Sequence, residues 1–169
     1  MRLFYFSNVV TISLCFVLWP LFQAGSAVLC LNLPDRLFRP DAFFFRSHQW
    51  EQGGRFYDRV FLVRRWKHLL PDGGAVWKKK GYKKKRLTDF SEQNMNRFLV
   101  ESVRGECSHW LAILPFWVFG LFAPPEVIWI MLVYALAINM PCIIAQRYNR
   151  PRILALMVHR KSSCHAPCI

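Results

Sequence analysis

Two stretches of this chain carry no charged side chain: Leu3 to Pro34 and Val127 to Gln146. A helix rises about 1.5 Å per residue, so ~20 apolar residues cross a hydrocarbon core of ~30 Å. Both stretches reach that length. Lipid offers the backbone no hydrogen bonds, and a helix satisfies its own. Runs this long and continuous suit helices. The expected fold is therefore mainly α: a small integral membrane protein with an N-terminal signal-anchor-like helix and a C-terminal transmembrane helical hairpin. Pro20 is a kink site in the first helix. The hairpin pairs Trp110 to Ala123, short for a span and so tilted or re-entrant, with Val127 to Gln146. Pro124, Pro125 and Glu126 close it.

Charge is kept apart from these runs. The 169 residues include 23 Lys and Arg against 10 Asp and Glu, a net charge of +13. From Asp35 to Trp110 there are 17 Lys and Arg against 9 Asp and Glu, and from Arg147 onward there are 5 with no acid. Basic flanks stay cytoplasmic. The middle region and the tail are thus expected inside, with the N-terminus outside. Four regions follow: 1–34, a transmembrane helix; 35–104, basic, aromatic-rich and interfacial; 105–153, the hairpin with an interfacial site; and 154–169, a basic tail. A cleaved signal peptide is the rival for the first, with small residues at Ala24, Gly25, Ser26 and Ala27. Against cleavage, only Arg2 precedes the apolar run, which continues through Leu31.

In the middle region, rings (Phe43 to Phe45, Phe56, Tyr57, Phe61, Trp66) alternate with cations, as on a surface lying against lipid headgroups. Arg55 to Leu70 has a rough helical pattern, Pro71 to Gly74 reads as a turn, and Ser91 to Val103 as an amphipathic helix. Lys78 to Lys80 and Lys83 to Arg86 are the densest charge. Flanked by membrane helices, they favour anionic lipid over nucleic acid. Cys15, Cys30 and Cys142 sit in apolar segments as small hydrophobes. Cys164, His165 and Cys168 are too few for a metal site, so no metal and no cofactor is expected.

Three clusters carry candidate chemistry. Glu106 and His109, three apart, share a helix face beside Trp110. A carboxylate that holds an imidazole in one tautomer makes His109 a general base; an interfacial His in an aromatic belt fits the same residues equally well. His68 and Asp72, beside Trp66, form a second His–carboxylate pair. Their spacing is one residue short of the H-x-x-x-x-D box of glycerolipid acyltransferases, and Pro71 interrupts a helix between them. Third, Arg147, Asn149, Arg150 and Arg152, with Pro151 among them, form a candidate anion or sugar clamp.

LPDRLFRP (33–40), GGRFYDRVFLVRRWKHLLPDG (53–73), the E-x-x-H-W of Glu106 to Trp110 followed by LAILP, and INMPCIIAQRYNRPRI (138–153) occur in this order. Together they resemble the bacterial glycosyl-4,4'-diaponeurosporenoate acyltransferase family, which completes staphyloxanthin-type carotenoids. The resemblance spans roughly 33–153, with QRYNRPR its most specific part; the Lys-rich run and the tail after Arg160 lie outside it. It implies transfer of a fatty acyl group to a sugar hydroxyl, in that family the 6-hydroxyl of a glucose esterified to a carotenoid acid. On that footing the substrates are a glycosylated carotenoid or similar glycolipid acceptor and an acyl thioester donor, with membrane lipids and other pathway enzymes as partners. His109, oriented by Glu106, would be the base, with His68 and Asp72 the competing pair. Arg147, Asn149, Arg150 and Arg152, with Trp66 and Trp110, would bind substrate. No nucleophile-elbow serine is visible, which favours direct transfer. Another lipid-modifying transferase and a non-enzymatic, lipid-binding scaffold are the rival functions.

Overall fold

Ser7 starts the first helix: its hydroxyl accepts from the Val10 amide at 3.5 Å, and α1 runs Asn8–Asn32 through Pro20. Leu33 is extended, as a residue before proline prefers, and Pro34 ends the helix. The computed structural model describes residues 2–70 and 90–164. Asp72, both lysine runs, His165 and Cys168 lie outside these residues. Among the described residues every regular element is helical. The chain forms two units, Met1–Leu33 with Gly105–Ile143, and Pro34–Arg104 with Ile144–Ile169.

The first unit is built from α1, the end of α4 (Glu92–Ile113), a 3-10 segment over Leu114–Leu121 and the first half of α5 (Pro125–Cys164). Trp19 is its centre. The indole packs against Phe119 at 5.2 Å and Tyr134 at 5.4 Å between ring centres, and its N–H donates to the Met131 sulfur at 3.2 Å. Cys15, Ile113, Phe122, Ala135 and Ile143 complete the core. Gly120 lets Ile128 of α5 pack closely, since a Cβ there would stand 2.8 Å from Ile128 Cδ1.

Contacts along the helices give their directions. Leu3 and Phe4 amides donate to the Leu121 carbonyl at 2.8 and 3.0 Å, Trp19 meets Met131, and Gln23 meets Asn139. So α1 and the first half of α5 run the same way, and the chain leading to Leu121 runs against both. Outward the unit is apolar: Phe16 is 77% exposed, Trp129 68% and Val133 65%. Large side chains displayed this way suit lipid rather than water. Both α1 and α5 are long and apolar enough to cross a membrane.

The second unit begins with the 3-10 turn Asp35–Leu37. Arg104, near the middle of α4, pairs with Asp35 and Glu101 and lies over the Phe38 ring at 4.8 Å. A 3-10 stretch over Gln49–Gly54 leads into α2 (Arg55–Phe61). The helical pattern of Arg55 to Leu70 is not one helix. Leu62 takes a left-handed φ of 50°, dividing α2 from α3 (Val63–Trp66), and a 3-10 turn Lys67–Leu69 follows. The Asp58 carboxylate accepts from the Arg64 amide at 3.2 Å, and the Trp66 indole donates to the Phe61 carbonyl at 2.6 Å across the break. The amphipathic helix expected at 91–103 is present and continues to Ile113.

Candidate active site

Asn139 lies on α5 inside the charge-free run and is 1% exposed. Its Nδ2 donates to the Ala135 carbonyl one turn earlier, at 2.9 Å. A carbonyl only accepts, so this bond fixes the amide's orientation and aims Oδ1 the other way. Oδ1 receives Gln23 Nε2 from α1 at 3.1 Å and faces His109 Nδ1 on α4 at 2.9 Å. An amide oxygen cannot donate. His109 Nδ1 therefore carries the proton, and the neutral ring has its basic lone pair on Nε2. That is the tautomer of a general base whose other nitrogen is anchored.

Glu106 was the expected anchor of His109. The geometry gives Nδ1 to Asn139, while Glu106 Oε1, on a fully buried side chain, accepts from the Trp110 indole at 3.4 Å. Glu106, His109 and Trp110 share one face of α4, as their spacing implies. Neither Asn139 nor Gln23 is among the residues that the sequence marks as candidates. A lone Asn in an uncharged span was the available signal, since a buried amide there needs partners.

The third sequence cluster lies in the second unit and divides by role. Arg147 donates to the Phe44 carbonyl at 2.6 Å and reaches Glu51 Oε1 at 3.4 Å. Arg150, 1% exposed, donates to the Phe45 carbonyl at 2.5 Å and Ser102 Oγ at 3.4 Å. These two guanidiniums tie down the 44–51 segment. Glu51, itself buried, also accepts from the Tyr57 hydroxyl at 2.6 Å and the His48 amide at 2.9 Å. Burial, then the Glu51 carboxylate, pushes the Tyr57 phenol well above its ordinary pKa.

Arg152 and Asn149 face elsewhere. Tyr148 is buried, and its hydroxyl accepts from Arg64 Nε at 3.2 Å and Arg152 at 2.9 Å. Lys67 Nζ donates to Asn149 Oδ1 at 3.1 Å and lies 4.8 Å from the Tyr148 ring centre. Burial, followed by the Arg152 and Arg64 charges, lowers the Lys67 pKa. Gly54 lets the chain approach here: with φ of 92°, its missing Cβ would stand 2.8 Å from the Tyr148 carbonyl. His68 is exposed in the middle of its 3-10 turn, and Trp66 spends its indole N–H on Phe61. Among the described residues no cluster of metal ligands occurs.

A family model described as glycosyl-4,4'-diaponeurosporenoate acyltransferase matches residues 41–159. Enzymes of that name from Staphylococcus aureus are similar along most of the chain. The one from strain Newman is 35% identical over 153 residues, 89% of this chain and 92% of its own. That from strain USA300 is 35% identical over 143 residues, 85% and 86% of the two chains. No solved structure matches.

Proposed function

The chain belongs to the glycosyl-4,4'-diaponeurosporenoate acyltransferase family and is an acyltransferase; from that premise we propose that it esterifies a sugar hydroxyl of a glycosylated carotenoid with a fatty acyl group from a thioester donor. The observation that carries the chemistry is the Asn139–His109 pair, which leaves Nε2 as the basic nitrogen. His109 Nε2 takes the proton of the attacking hydroxyl, and the oxygen adds to the thioester carbonyl. As the tetrahedral intermediate collapses, the C–S bond breaks and the imidazolium returns its proton to the departing thiolate. Asn139 keeps the ring oriented through both transfers, and Gln23 steadies Asn139.

The apolar exterior of the first unit suits an acceptor whose polyene lies in lipid. The relatives are bacterial, which supports the bacterial cytoplasmic membrane, and the charge balance favours 35–104 as its cytoplasmic interfacial region, where the thioester arrives. Retention of α1 follows on the same reading, because Trp19 and Gln23 precede the small residues 24–27 where cleavage would fall. Mass spectrometry of pigments and lipids from cells with and without the gene tests the reaction. The expected result is a glycosylated carotenoid that gains one acyl mass only with the gene; an unchanged profile sinks the proposal. With His109→Ala the ester should fall ~10²–10⁴-fold at equal membrane abundance, whereas full turnover would move the base to His68.

A further inference from the structure

The cations around Tyr148 are arranged unlike flanking charges that merely mark the inside of a membrane. Such residues normally point away from one another into solvent. Here Arg64 and Arg152 converge on one buried hydroxyl, and Lys67 and Arg152 lie 4.8 and 5.0 Å from the centre of the same ring. The phenol oxygen accepts both guanidiniums but brings no negative charge. Asn149, which occupies one donor of Lys67, brings none either. Among the described residues Asp58 is the one carboxylate paired with any of the three, at 3.1 Å from Arg64. Three like charges held against one acid cost free energy that an anion would return, and burial already disfavours the charged form of Lys67.

Ligand access and chemistry point the same way. The Arg64 side chain is 65% exposed and Arg152 is exposed, while Tyr148 beneath them is buried. Arg64 and Arg152 are thus open outward, with Lys67 half-buried beside them, and all three are fixed from below. Guanidinium forks beside an ammonium match the several oxygens of a phosphate ester better than a neutral sugar. We propose that Arg64, Lys67 and Arg152, held about Tyr148, bind a phosphate ester. Resting on the acyl-transfer reading, that ester is a phosphate of the donor's carrier; the phosphate of a membrane lipid presents the same chemistry.

The test uses the full chain in nanodiscs of zwitterionic lipid, with coenzyme A and phosphate-free pantetheine as probes in titration calorimetry. The wild type should bind coenzyme A at least ~10-fold more tightly than pantetheine. The combined variant Arg64→Gln, Lys67→Gln and Arg152→Gln should erase that preference. A charge-matched control, Arg36→Gln, Arg39→Gln and Arg59→Gln on exposed positions, should keep it. Lys67→Gln alone, monitored for folding by thermal shift, should narrow it several-fold if the combined variant fails to fold. If the coenzyme A preference survives in the variant but retention on phosphatidylglycerol vesicles drops, the site stands with lipid as its source. If neither changes, the site is overturned. Binding is read without turnover, so a wild type that binds coenzyme A through these residues yet forms no ester keeps the site and rejects acyl transfer.

Discussion

At the scale of single residues, the proposed chemistry rests on an amide that cannot donate where His109 needs an acceptor. Asn139→Ala should lower kcat at least about tenfold, because the ring then exchanges tautomers and loses its anchor. KM should change little, as expected of a residue that acts through the ring and not on the substrate. His109 and Glu106 were legible because their relation is local, three residues along one helix. The partner of His109 was not: Asn139 is 30 residues from His109 and 116 from Gln23, separations that no helical spacing encodes. In the second unit, Tyr57 provides a pH signature. Its raised pKa means that above the ordinary tyrosine value of ~10 the unfolded chain loses a proton that the native state keeps. The stability it contributes is full below pH ~10 and declines as pH rises further, by at most about 1.4 kcal/mol per pH unit. Tyr57→Phe should therefore lower Tm in detergent at pH 8, with the gap from wild type narrowing towards pH 11. A constant gap would contradict this.

At the scale of elements, the two long apolar helices were readable from the absence of charge, and the arm between them was not. Trp110 to Ala123 is too short for a comfortable α-helical span. The chain responds by winding Leu114–Leu121 as 3-10 helix, which advances about 2.0 Å per residue instead of 1.5. Composition does not reveal that change, since the same apolar residues serve either helix. The left-handed Leu62 was hidden for a similar reason: the Trp66 indole and Asp58 carboxylate that support the break come from outside it. The two close-approach glycines should respond differently. Gly54→Ala places a Cβ against a backbone carbonyl at a positive φ, so it should cost about 1–3 kcal/mol. Gly120→Ala meets only the flexible end of Ile128 and should cost less than about 1 kcal/mol. Thermal unfolding of the two variants side by side checks the order.

For the molecule as a whole, the charge distribution carries a prediction about sidedness. The basic regions should face the cytoplasm, and the Leu121 turn, with the N-terminal residues bonded to it, should face outward. In a background lacking the native cysteines, Ser7→Cys and Glu126→Cys should react with an impermeant maleimide on intact cells. Arg39→Cys should react only after lysis; labelling of Arg39→Cys on intact cells would reverse the orientation.

The bond between Gln23 and Asn139 also has a consequence in time. The two residues are 116 positions apart, and ribosomes add about 5–20 residues per second. For something like 6–23 s after Gln23 is made, α1 must wait with an amide that has not yet met its acceptor. The first helix is thus a component held in reserve, and the base is oriented only when the last helix arrives. Nascent chains stalled before Asn139 should therefore contain every side chain of the E-x-x-H-W motif and still lack the arrangement that makes its histidine useful.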